Sequence, residues 1–121
     1  MNQTILTGRL VWDPEVRWNE RGFATAKFKI AVDRPKRKDE EQETDFIPCV
    51  TFGKTAEFLE RNGFKGQLVA VCGRIQVTDY EKEGRKLTWT EVVADRVEAL
   101  QWKEKRPQSG TDWPGEDGFV F

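Results

Sequence analysis

The sequence predicts an all-β fold: a small five-stranded barrel with one short helix between the third and fourth strands. Three observations carry this expectation. Ala24, Ala26, Phe28, Ile30 and Val32 alternate with Thr25, Lys27 and Lys29, the period of two that marks a strand wetted on one side. Proline and glycine punctuate the rest into segments of strand length. A single stretch, Lys54 to Asn62, spaces Ala56 and Leu59 as one side of a helix does.

The first strand covers Gln3 to Trp12, with Leu6, Gly8, Leu10 and Trp12 on one parity and Thr7 and Arg9 on the other. Asp13-Pro14 ends it, because proline has no donor for the ladder. Glu15 to Trp18 is a short extended piece before a turn at Asn19 to Gly22, and the alternating second strand follows. Residues 33–43 form a charged loop, basic at first and acidic at its end. The third strand, Thr44 to Phe52, puts Phe46, Pro48, Val50 and Phe52 on one parity; Pro48 makes it an edge or a bulged strand there. After the helix, with Asn62-Gly63 as a left-handed stop, Leu68 to Tyr80 is a long fourth strand in which Gly73 suggests a bulge. Glu81 to Arg85 is a hairpin turn, Lys86 to Ala94 the fifth strand, and Val97 to Trp102 an extension or cap. This connectivity is that of an OB-fold.

Composition excludes several kinds of chemistry. With no histidine, the 121 residues hold no histidine base, no histidine-bearing zinc site and no Ser-His or Cys-His pair. Cys49 and Cys72 are too few for a disulfide framework, suit a reducing cytoplasm, and read as small core residues. The acids Asp39, Glu40, Glu41, Glu43 and Asp45 lack the spacing and the turning glycine of a calcium loop, so they read as a solvated, salt-bridged segment. Gly53-Lys54-Thr55 ends like a phosphate-binding loop, but Pro48 stands where that motif needs its first glycine. No catalytic group, metal site or cofactor is expected. No apolar run is long enough to span a membrane, and from the polar first residues no secretion signal is expected.

The net charge of −1 argues against simple electrostatic binding of a polyanion, yet it sums two unlike regions. Residues 1–106 hold all 20 basic residues and 18 acidic ones, whereas residues 107–121 hold Asp112, Glu116 and Asp117 and no base. Residues 1–105 are therefore expected to form the folded domain and 106–121 a flexible acidic tail.

Fourteen aromatic residues are many for so polar a chain. Phe46 and Phe52 share a strand face, Tyr80 ends the fourth strand, and Trp18 adjoins Arg17. An outward aromatic set flanked by cations is what a stacking platform for single-stranded nucleic acid requires, since every base has a π-face. Arg9, the cluster Lys36, Arg37 and Lys38, Lys54 and Arg74 are the cations available to it.

Several stretches carry a more specific resemblance: Leu6-Thr7-Gly8-Arg9-Leu10, Asp13-Pro14-Glu15-Val16-Arg17-Trp18, Ala31-Val32, Phe52-Gly53-Lys54-Thr55-Ala56-Glu57, Gly73-Arg74 and Thr90-Glu91-Val92-Val93-Ala94-Asp95. In this order and spacing, across residues 3–102, the chain resembles the bacterial and phage single-stranded DNA-binding proteins. The resemblance implies an OB-fold that assembles with itself, as a tetramer or a dimer, and holds single-stranded DNA by stacking on Phe46, Phe52 and Tyr80. A further family aromatic falls near Pro35-Lys36 and is absent, and Ile75-Gln76-Val77-Thr78-Asp79 lacks the family's basic residues; both departures imply weaker or shorter-site binding.

The tail resembles the family's as well. Its acids Asp112, Glu116 and Asp117 and its apolar tip Phe119, Val120 and Phe121 suit a basic, apolar pocket on a DNA-maintenance protein. The expected function is sequence-independent binding and protection of single-stranded DNA in replication, recombination and repair, with partners recruited through the tip. The alternatives are an OB-fold adaptor that has lost its DNA affinity and, more remotely, a metal-dependent nuclease.

Overall fold

The computed structural model describes residues 1–102, and residues 103–121, with the whole of the expected tail 106–121, lie outside them. Six strands and one helix follow one another: β1 (Thr4–Leu10), β2 (Glu15–Trp18), β3 (Ala24–Asp33), β4 (Thr44–Phe52), α1 (Gly53–Asn62), β5 (Leu68–Lys82) and β6 (Arg85–Ala99). The sheet order is β1-β5-β6-β4-β3-β2, and β1 also pairs with β3. Five strands thus close into a ring, with β2 added along the far side of β3. Every pairing is antiparallel except β4 with β6, joined in parallel over Cys49↔Val92, Val50↔Val93 and Thr51↔Ala94. Within the ring α1 joins the third strand to the fourth, the connectivity expected from the sequence.

Alternation decides what the ring encloses. Leu10, Ala26, Phe28, Ile30, Cys49, Val69, Val71, Val92 and Ala94 point inward and are buried together, and Ala56 and Leu59 of α1 join them. Gly63 ends the helix, its N–H donating to the Leu59 carbonyl at 2.8 Å, but with an extended backbone (φ −82°) in place of the expected left-handed one. The buried Gln67 amide ties this end of the ring, donating to the Asn62 and Gln101 carbonyls at 3.1 and 2.8 Å. Inside the wall, the Thr51 hydroxyl donates to the Ala94 carbonyl at 2.8 Å and links β4 to β6.

Closure requires glycine at two crossings. A Cβ on Gly8 would lie 2.4 Å from the Ala31 carbonyl oxygen, and one on Gly73 would lie 2.1 Å from that of Val93. Backbone approaches this close admit no side chain. At Gly73 the β5–β6 register shifts: Cys72 opposes Arg96 but Gly73 opposes Ala94, leaving Asp95 as the extra residue of a bulge.

Boundaries differ from expectation in instructive ways. Glu15–Trp18 is a true strand on β3, and β6 runs unbroken to Ala99, because the Asp95 bulge absorbs the break in alternation between Ala94 and Val97. The hairpin turn shrinks to Glu83 and Gly84, with φ of 54° and 76°, so pairing continues out to Lys82↔Arg85. Pro48 pairs with Lys29 where the β6 side of β4 is still open, since that ladder begins at Cys49.

Two inward assignments are corrected. Trp12 lies beyond the end of β1, in a bend, and is exposed. Cys72 is half-buried on the outward side opposite Ile5, and only Cys49 belongs to the core. Burial, with Glu91 nearby, pushes the Cys49 thiol up to about 12. No helix among the described residues is long and apolar enough to cross a membrane.

Candidate nucleic-acid interface

Residues of opposite parity to the core build the outer face of β3 and β4. Register sets them in pairs: Thr25 beside Phe52, Lys27 beside Val50, Lys29 beside Pro48 and Ala31 beside Phe46. One row continues across the sheet, from Lys27 through Val50 and Val93 to Arg74, placing a cation on either flank of an apolar centre. Val50 is only 5% exposed although it faces away from the core, so this centre is a covered floor rather than a wet surface.

Aromatic rings stand on that floor. Phe46 is 59% exposed and Phe52 44%, at the two ends of the outward run of β4. Phe23, just before β3, stacks on Phe52 with centroids 6.4 Å apart and planes 15° from parallel. Lys29 reaches over the Trp12 ring, its Nζ 5.3 Å from the centroid. Beyond the ring, β5 and β6 continue as a two-stranded arm. There Tyr80 opposes Leu87 and Thr78 opposes Trp89, on the parity of Arg74 and Val93 and so on the same face as Phe46 and Phe52. An acid belongs to this face too: Glu91 opposes Gln76 and accepts the Trp89 indole N–H at 3.0 Å.

The structure therefore brings Phe46, Phe52, Tyr80 and Arg74 to one continuous face. Arg9 stands on the same outward row as Phe46, two strands away through Ala31, but its guanidinium also donates to the Gly66 carbonyl and Gln101 Oε1, at 2.9 and 3.0 Å. Lys54 is exposed in the first turn of α1, where the left-handed Gly53 (φ 64°) swings the chain from strand to helix immediately after Phe52.

Lys36 and Arg37 lie in the exposed loop between β3 and β4. The neck of that loop is tied: Arg34 forks onto Asp45 and meets Glu43, and its N–H donates to the Glu43 carbonyl at 2.9 Å. The Arg34 hydrogen bond holds the Asp45 carboxyl below its usual range, and Asp45 raises Arg34 in turn. So Arg34 is spent on the fold, Arg37 lies 4.0 Å from Glu40, and Lys36 and Lys38 have no ion pair among the described residues.

Trp18 is not brought to this face. It opposes the buried Ala24, on the inward parity of β2, and its indole N–H donates to Glu60 of α1 at 3.1 Å. Asp112, Glu116, Asp117, Phe119, Val120 and Phe121 lie outside the described residues. Sequence reasoning passed over Trp12, Phe23, Lys27, Lys29 and Trp89. The parity of β3 already marked the two lysines as outward; Trp89 needed the hairpin register, and Trp12 and Phe23 needed the ends of strands.

Comparison with known proteins adds three findings. The family model described as the single-strand binding protein family matches residues 1–100. A single-stranded DNA-binding protein of Fusobacterium nucleatum is 45% identical, over 92% of this chain and 72% of its own length. Similar proteins occur in Clostridium acetobutylicum, where single-stranded DNA-binding protein 2 is 48% identical over 84% of the chain and 78% of its own length, and in Clostridium tetani, at 45% over 98% and 79%. A solved structure described as Plasmodium falciparum SSB in complex with single-stranded DNA superposes with a TM-score of 0.76 at 20% identity, covering 84% of this chain and 96% of that one, and so shares the fold. With a family model spanning nearly the whole described body and relatives this similar over most of both lengths, the chain belongs to the single-strand binding protein family.

Proposed function

We propose that the chain binds single-stranded DNA without sequence preference on the outer face of β3, β4 and the β5–β6 arm. The observation that carries this reading is the set of exposed rings on one face, Phe46 and Phe52 on β4 beside the Lys27–Val50–Val93–Arg74 row and Tyr80 further out on the β5–β6 arm. Bases stacked on the rings meet a π-face whatever their identity, while the lysines and arginines take the phosphates. At about 1–3 kcal/mol per stacked base, three rings contribute roughly 3–9 kcal/mol, enough for binding that does not depend on a large net positive charge. Nothing in this mechanism needs a reaction step, so the role is protective rather than enzymatic, in a DNA-containing, cytoplasmic setting.

Self-association fits the rest of the surface. Met1, Ile5, Ile75 and Val77 are large, exposed and apolar, and the Asn2 side chain clasps the backbone of Ile75 with hydrogen bonds of 2.8 and 3.0 Å. Such side chains in water are the usual material of an interface between copies. The body, residues 1–105, then serves binding and assembly, and the tail, 106–121, docks a DNA-maintenance partner through its acids and its Phe-Val-Phe tip.

Fluorescence titration with oligo-dT and with duplex tests the DNA reading. Single strands quench tryptophan emission and duplex does not. Equal response to both, or none to either, overturns it in favour of an adaptor without DNA affinity. Mass measurement of the free and bound protein reports whether the assembly is a tetramer, a dimer or neither.

A further inference from the structure

Among the described residues there are four tryptophans, and three of them have structural partners. Trp18 and Trp89 donate their indole N–H groups to Glu60 and Glu91, and Trp102 packs edge-on against Phe58 with centroids 5.9 Å apart. Trp12 differs. Its indole N–H meets no acceptor among the described residues, its ring lies outside the core, and its one ring contact is the Lys29 ammonium. It remains 48% exposed.

The backbone that carries this ring is nevertheless fixed on both sides. The Val11 N–H donates to the Lys29 carbonyl at 2.9 Å, and the Asp13 carboxylate accepts the Lys65 N–H at 2.7 Å. A large flat side chain is thus held out on a rigid corner, at the cost of leaving apolar surface in water. A single cation occupies one face of an indole and leaves the other free.

Position gives the ring a use. Lys29 is on the outward parity of β3 opposite Pro48, two residues along β4 from Phe46. Trp12 therefore borders the row of rings from the β1 side. The loop on the opposite border, residues 34–43, contains no aromatic residue.

We propose that Trp12 is a further base-stacking position on the single-stranded DNA path, with the Lys29 ammonium beside it placed for the adjoining phosphate. The inference rests on the reading of the β3–β4 face as the DNA site, and the tests separate the two. Trp12→Leu keeps an apolar side chain but no π-face; it weakens oligo-dT binding by about 5- to 150-fold, while Trp12→Phe retains most of the affinity. Thermal melting of both variants confirms that they fold. If Trp12→Leu binds like the parent while Phe46→Ala does not, Trp12 is no stacking position and the face reading stands. If both bind like the parent, the face reading fails and takes this inference with it.

A second measurement uses the unaltered protein. Photocrosslinking to oligo-dT bearing 5-bromouracil, followed by trypsin, reads two fragments apart. Residues 10–17 carry Trp12 as their sole aromatic residue, and residues 39–54 carry Phe46 and Phe52. Adducts on both support the proposal; adducts on the second fragment alone overturn it.

Discussion

Phe46→Ala isolates stacking from folding more cleanly than any other change to the face. The ring is 59% exposed, stands at the end of β4 where the β6 ladder has not yet begun, and has no aromatic partner among the described residues. About two-fifths of its surface is hidden. Taking about 200 Å² for a whole ring, truncation removes roughly 80 Å² of apolar contact, an upper bound of about 2 kcal/mol. A domain with the usual reserve of about 5–15 kcal/mol stays folded at 25 °C. The binding loss is the larger signal: about 1–3 kcal/mol for one stacked base, a 5- to 150-fold rise in Kd. Because no charge is removed, the slope of log K against log salt keeps its parent value. Oligo-dT titrations at four salt concentrations, with a melting curve of each protein, measure all three quantities. Parental affinity at every salt concentration would refute the stacking argument. So would a loss accompanied by a slope change of a whole unit, which would mean that Phe46 positions phosphates rather than bases.

Other consequences are independent of that one. Lys27→Gln lowers the magnitude of the salt slope by about 0.7 for each phosphate left without its cation, with weakening uniform across base sequences, as the same titrations report. Gly73→Ala drives a methyl group into the Val93 carbonyl, so it destabilises by about 1–3 kcal/mol or more and lowers Tm by roughly 4–8 °C per kcal/mol, read by calorimetry. Thiol labelling of the native protein modifies Cys72 quickly and Cys49 only after unfolding, because the core keeps the Cys49 thiol protonated. The sign of its pH effect follows from the raised value. The unfolded thiol ionises near 9 and the folded one near 12, so the contribution is complete below pH 9 and is lost as pH climbs towards 12. Alkaline melting curves of the parent and Cys49→Ala should therefore differ in pH dependence.

Strand alternation made most of the fold legible, because a half-buried strand writes its two faces into the sequence at period two. β3 and β4 were readable residue by residue, down to the outward set Lys27, Lys29, Phe46 and Phe52. β6 was not, because the Asp95 bulge resets its parity between Ala94 and Val97, and a bulge is fixed by the partner strand. The same limit hid Trp89: whether its ring shares a face with Tyr80 depends on a hairpin turn of two residues instead of five. Trp18 shows the converse limit. Its neighbour Arg17 suggested a binding pair, but pairing with buried Ala24 turns the indole towards α1 and Glu60.

Near-neutral charge and affinity for a polyanion are reconciled by where the charges are spent. Arg17, Arg34 and Arg96 are each engaged by carboxylates, so they add little field towards an approaching strand. Lys27 and Arg74, at the two ends of the Lys27–Val50–Val93–Arg74 row, form no ion pair among the described residues. The surface thus carries cations neutralised by neighbouring acids beside cations without an ion pair among the described residues, although the whole-chain sum is −1. Aromatic contacts must then supply the remainder, and they are sequence-tolerant by nature. A strongly basic face would hold duplex and single strand alike through their phosphates. Under the proposed stacking mode, a face of rings rewards only bases that are free to leave a stack, which favours the single strand.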